Sequence, residues 1–142
     1  MSRSFTHDYI LGSQSEDKIK ETLEKQFDDT FEKTDRYHKL DFKGEKCWIE
    51  VKTRTFNKDK FPTTMLPLSK VHYADTLTNA VYFVFSFTDG LYYIKYDKKV
   101  FETFGTNMFK RQDRIDHKDV AQQYCFIPVS SLLRIVETTP LL

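Results

Sequence analysis

The sequence predicts an α/β fold: a single-domain α/β/α sandwich around a central mixed β-sheet, spanning residues 1–142. Three observations carry this. A capped apolar stripe of helical period opens the chain, two pairs of strand-like apolar runs follow, and a second helical stretch separates those pairs. An order of helix, hairpin, helix, hairpin and mixed tail fits helices packed on a mixed sheet better than a doubly wound parallel one. A length of 142 residues suits one compact domain, and 13 Phe with 8 Tyr favour a sheet.

Ser13 and Glu16 form an S-x-x-E capping box that starts the first helix near residue 14, with Ile19, Leu23 and Phe27 as its apolar stripe. Residues 35–42 and 47–54 read as two strands joined by "KGEK", a hairpin with Gly at its turn. "FNKDKFPTTMLP" is a loop with a short strand at 63–66, and Ser69 caps a second helix running to about Asn79. "AVYFVFSF", from Ala80, is a continuous apolar run expected at the centre of the sheet. Asp89–Gly90 turns it into the alternating "LYYIKYD". Residues 98–120 are charged and carry no clear pattern. "YCFIPV" is a last strand, and "SSLLRIV" a short closing helix capped by Ser130.

Composition narrows the function classes. At 39% hydrophobic and 30% charged the chain can bury a core, which excludes wholesale disorder. A net charge of +1 gives no global attraction to nucleic acid, so any such contact has to be a local patch. Cys47 and Cys125 form no C-x-x-C pair and read as reduced core thiols, and the four histidines lack metal-ligand spacing. The longest apolar run is too short to cross a bilayer, and the first residues do not form a signal peptide. The expectation is a soluble intracellular protein of the cytoplasm or nucleoid, with no membrane partner and no small-molecule cofactor. No Gly-rich phosphate loop, Ser-His-Asp order or Cys-His pair points to P-loop hydrolysis or acyl transfer.

The chemistry-bearing stretch is "CWIEVKTR", residues 47–54. In a strand, Trp48, Glu50 and Lys52 share one face, and Ile49 and Val51 share the other. With Gly44–Glu45 as a two-residue turn, Asp41 pairs with Trp48 and joins that polar face, diagonal to Glu50 at roughly 7 Å. Two carboxylates at that range can share a hard divalent cation, and an adjacent ammonium can stabilise developing charge. The bare [DE]-x-K pattern is uninformative, since it occurs five times in the chain. Only Glu50–Lys52 lies in a strongly apolar strand after a hairpin carrying a co-facial aspartate. Glu16 heads the apolar stripe of the first helix. It is either the capping-box partner or a third carboxylate aimed beneath the helix.

"LDFKGEKCWIEVKTR" resembles motifs II and III of the PD-(D/E)XK nuclease superfamily, an Asp ending one strand and E-x-K in the next. The resemblance covers roughly residues 10–88, and Leu40 stands where the family name has proline. It implies a restriction-endonuclease-like core, and a Mg²⁺-dependent endodeoxyribonuclease in which Mn²⁺ substitutes. Asp41 and Glu50 would hold the metal with the carbonyl of Ile49, Lys52 would position the attacking water, and Glu16 would be a further catalytic acid.

Residues 51–72 carry Lys52, Arg54, Lys58, Lys60 and Lys70 against the single acid Asp59. Arg54, Lys58, Lys60 and Lys70 are therefore expected to form a basic rim that grips DNA phosphates without reading sequence. Segment 8–45, with 11 acids and 7 bases, is expected to face away from DNA, apart from the site carboxylates. A chain this short leaves no room for a sequence-reading domain, which favours structure-dependent or weakly specific, junction-resolvase-like cleavage. A homodimer would be needed to cut two strands. The alternative is a catalytically inactive nuclease-fold protein that binds nucleic acid or acts as a scaffold, although intact Asp41, Glu50 and Lys52 argue against it. An interaction domain using residues 98–120 is a further alternative.

Overall fold

The computed structural model describes residues 17–109 and 122–136. Helix α1 (residues 17–27) is followed by strands β1 (Glu32–Lys33), β2 (Phe42–Lys43) and β3 (Cys47–Thr53), a 3-10 turn at Lys58–Lys60, β4 (Thr63–Pro67) and α2 (Leu68–Asp75). Then come β5 (Ala80–Phe87), β6 (Gly90–Lys95), α3 (Lys98–Phe101), β7 (Gly105–Phe109), β8 (Gln122–Pro128), a 3-10 turn at Val129–Ser131 and β9 (Leu133–Ile135). Six strands form one sheet in the order β1-β2-β3-β5-β6-β9, and three form a second in the order β4-β8-β7. β3 and β5 run parallel while the other neighbours are antiparallel, so the large sheet is mixed. The chain is α/β, as the sequence predicts, and compatible with a restriction-endonuclease-like core.

Two apolar layers flank β3 and β5. On one side α1 contributes Ile19, Leu23 and Phe27 against Ile49, Val84, Leu91 and Ile135. On the other, Val71 and Ala74 of α2, Leu66 of β4, and Cys125 and Ile127 of β8 pack on Phe83 and Phe85. Burial on both faces is why β5 reads as an unbroken apolar run. Among the described residues no helix is long and apolar enough to cross a membrane.

The C-terminus of α1 sets the geometry of the β2–β3 hairpin. Asp28 ends the helix at φ 49°, a left-handed conformation that Asp adopts more readily than most residues. The Asp29 carboxylate then accepts the N–H groups of Glu45 (3.0 Å), Lys46 (2.9 Å) and Cys47 (3.2 Å), holding the whole loop between the strands. Gly44 fits only because it lacks a side chain: a Cβ there would lie 2.2 Å from Asp29 Oδ2.

Several expectations are corrected. Residues 35–42 are not a strand; most of that stretch turns back on itself, and β2 is only Phe42–Lys43. The cause is local: the Asp35 carbonyl accepts the His38 N–H at 3.1 Å, and His38 Nδ1 accepts the Leu40 N–H at 3.0 Å. Phe42 pairs with Ile49, two residues from the expected Cys47, because four residues rather than two lie between the last paired positions, Lys43 and Trp48. An even loop preserves the faces. α2 begins after Pro67 with no side-chain cap from Ser69, and it stops at Asp75, where Thr76 Oγ1 bonds back to the Tyr73 carbonyl at 2.6 Å. The closing helix is instead a 3-10 turn and strand β9, which completes the free edge of β6 by pairing Leu133 with Tyr93 and Ile135 with Leu91. Within 98–120, Asp97 caps α3 through the Lys99 and Val100 N–H groups, and Gly105–Phe109 adds to the second sheet.

Candidate active site

Asp41 lies just before β2, and its carboxyl shares a hydrogen bond with that of Glu50 on β3. Asp41 is fixed twice. Its N–H donates to the Ile49 carbonyl at 3.0 Å, and its Oδ2 accepts the Val51 N–H at 2.8 Å. The carboxylate thus serves as the backbone acceptor that β2 no longer supplies beyond Phe42.

Glu50 is only 3% exposed, the one carboxylate among the buried described residues. Burial pushes its carboxyl up to about 7, and the charge of Asp41 and a side-chain hydrogen bond with Asp41 push the same way. Lys52 and Lys70 oppose that rise. Their ammonium groups lie 3.4 and 3.2 Å from the same oxygen, Glu50 Oε2. Lys52 and Glu50 are two apart on β3 and point to the face that α2 covers, while Lys70 descends from α2 and also donates to the Lys39 carbonyl. Two acids and two bases therefore meet in one cluster, with the lysines 28% and 22% exposed at its outer edge.

Not every expected site residue joins it. The Ile49 carbonyl is engaged by the Asp41 N–H. Glu16 lies outside the described residues. The Arg54 guanidinium is half-buried against Thr64 Oγ1 (3.1 Å) and the Met65 carbonyl, with its carbon 5.6 Å from the Phe85 ring centre, so it ties β3 to β4. Lys58 pairs with Asp59 at 2.8 Å and overlies Tyr92, and Lys60 overlies Phe56 and Phe61; both belong to the turn beyond β3 rather than to the carboxylate cluster. Lys70, expected as a phosphate contact, sits instead on Glu50.

Sequence reasoning missed a second basic surface. Around the loop leading into Asp41, Arg36 overlies Tyr37, Lys39 overlies Tyr73 of α2 and Lys43 overlies Trp48 of β3, while His38 stacks on Trp48 and meets Tyr73 edge-on. The signal is the run "RYHKLDFK", which a count over residues 8–45 averages away. A surface cleft among the described residues lies elsewhere, lined by Lys18, Thr22, Asp89 and Arg134, and neither carboxylate borders it.

Chemically, the pair offers hard oxygen donors with cations beside them. Among the described residues no group of three or more His, Cys, Asp or Glu side chains converges to hold a metal ion. A two-carboxylate set suits Mg²⁺, which binds through one or two carboxylates and keeps several waters. No curated protein and no solved structure matches the chain. The profile of the family described as "Phage putative PDDEXK endonuclease" matches residues 11–135. That span takes in α1, both strands of the site hairpin, α2 and every later strand, and the chain belongs to this PDDEXK endonuclease family.

Proposed function

We propose that the chain is a metal-dependent endonuclease that hydrolyses DNA phosphodiester bonds at Asp41, Glu50 and Lys52. One observation carries this reading: a buried glutamate faces an aspartate across the hairpin and shares one oxygen between two lysines. Folding alone does not call for such a cluster, because an ionised carboxyl removed from water beside a second acid is costly. Perturbed carboxyls of this kind concentrate at functional sites.

Asp41 and Glu50 would hold Mg²⁺, with Mn²⁺ as a substitute and water or phosphate oxygens filling the remaining positions. Bound there, the ion acidifies water and offsets charge on the phosphate. Lys52 directs the attacking water at phosphorus and meets the charge that grows on the phosphate oxygens, an effect concentrated in the transition state. Lys70 holds Glu50 in place from α2 and adds a second positive charge at the outer edge of the cluster. Glu16 remains a candidate further acid. Lys58 and Lys60 contact backbone phosphates farther along the strand. This arrangement reads no bases, which favours structure-dependent or weakly specific cleavage by one domain, with a homodimer cutting two strands.

Isothermal titration with Mn²⁺ tests the reading. The wild type is expected to bind, and Asp41→Asn and Glu50→Gln are expected to lose that heat. Binding that survives both substitutions, or no binding by folded wild type, would favour a nuclease fold that binds nucleic acid without cutting it.

A further inference from the structure

The loop before Asp41, residues 34–41, is mounted firmly beside the carboxylate pair. The Asp35 carboxylate accepts the Tyr37 N–H at 2.9 Å, and Thr34 Oγ1 reaches the carbonyls of Leu40 and Asp41. The His38 ring stacks on Trp48 with centroids 5.1 Å apart and planes 10° apart, and it meets Tyr73 edge-on at 5.9 Å. Lys70 anchors the far side through the Lys39 carbonyl.

Tyr37 stands out on this support. It is 86% exposed and belongs to neither apolar core, and its ring meets the Arg36 guanidinium at 5.7 Å. Lys39 lies 5.0 Å from the Tyr73 ring centre and Lys43 lies 5.4 Å from that of Trp48, so the rings of this surface alternate with cations. Tyr37 is four residues from Asp41, which limits their separation to ~14 Å. That is about four base steps of 3.4 Å along a strand. An exposed ring on an anchored backbone, beside cations, matches the pattern by which single-stranded nucleic acid is held, bases on the ring and phosphates on the cations.

Resting on the nuclease reading, we infer that Tyr37 is a stacking site for an unpaired nucleobase, so that DNA enters the site over the 34–41 loop as a single-stranded segment. A base inside a duplex has both faces covered by its neighbours. Away from duplex ends the ring can engage only where a strand is unpaired, which points to forked, flapped or branched DNA as the substrate.

The test compares wild type, Tyr37→Ala and Tyr37→Trp on a forked duplex and on a blunt duplex of the same sequence. Affinity is read by fluorescence anisotropy in Ca²⁺, and 2-aminopurine is placed in turn at each of the first four unpaired nucleotides. Tyr37→Ala is expected to weaken fork binding about fivefold or more, the lower end of base stacking on an aromatic side chain. Blunt-duplex affinity should stay within twofold, 2-aminopurine quenching should disappear, and Tyr37→Trp should retain both. An equal effect on both DNAs, no effect on either, or unchanged quenching overturns the inference. Wild type that cleaves the fork in Mg²⁺ while Tyr37→Ala binds it equally well removes this inference alone. Folded wild type that neither binds nor cleaves either DNA removes the nuclease reading and this inference with it.

Discussion

Replacing Glu50 by glutamine should stabilise the metal-free protein at alkaline pH while destroying its activity. Burial, then the charge and hydrogen bond of Asp41, raise the Glu50 carboxyl from an ordinary 4.5 to about 7. The native state therefore holds the Glu50 proton more tightly than the unfolded chain does. Below pH 4.5 the group is protonated in both states and contributes no penalty. Between 4.5 and 7 stability falls as pH rises, and above 7 the full penalty applies. At ~1.4 kcal/mol per tenfold change in proton affinity, that penalty is ~3 kcal/mol. Glutamine keeps the shape and the hydrogen-bonding capacity of the protonated acid and cannot ionise. At ~3 °C per kcal/mol for a chain of this size, Glu50→Gln should melt about 6–10 °C above wild type at pH 8.5 in EDTA. Near pH 4 the two should coincide. Added Mn²⁺ should raise the wild-type Tm, because the ion binds the ionised carboxylate, and leave the variant unmoved. A variant less stable than wild type at pH 8.5 would refute the reasoning, since it would mean that Lys52 and Lys70 more than compensate the buried charge.

Gly44→Ala forces a Cβ to within 2.2 Å of Asp29 Oδ2 and so pushes the carboxylate off the hairpin loop; it should cost ~1–3 kcal/mol, read as a lower urea midpoint. Arg54→Ala should lower Tm by removing the link between β3 and Thr64, yet leave DNA affinity within about twofold, because its guanidinium is turned into the protein. Cys125, pushed up to about 11 by burial, and Cys47, pushed up to about 12 by burial and then by Asp29, should resist a thiol reagent at pH 8 until the protein is unfolded.

Strong local periodicity made much of this legible in the sequence. "CWIEVKT" and "AVYFVFSF" became the strands β3 and β5, with Glu50 and Lys52 on the expected face. The failures share a cause, which is contact between residues far apart in the chain. The register of the hairpin depends on Asp29, which grips Glu45 from sixteen residues away. The segment 133–135 is a strand because β6 has an open edge to fill, and nothing in "LLRIV" announces that neighbour. Lys70 reaches Glu50 only because α2 packs over β3, and Arg54 turns inward only because β4 lies beneath it. Asp41 meets Glu50 despite the wrong register: Phe42 kept its face opposite Ile49 because the loop length stayed even, and Asp41 bonds to the backbone of Ile49 and Val51 on either side of Glu50.

The most direct measurement is the cleavage rate of a labelled forked DNA in Mg²⁺, with its dissociation constant taken in Ca²⁺, for wild type and Lys52→Ala. Wild type is expected to cut and to stop cutting in EDTA. Lys52→Ala should cut about a hundredfold or more slowly, the scale of losing one group that stabilises developing charge. Its affinity should stay within about threefold, because Lys39, Lys43, Lys58 and Lys60 still carry positive charge at the surface. Cleavage by Lys52→Ala at the wild-type rate would contradict the assignment of Asp41, Glu50 and Lys52 as the catalytic group.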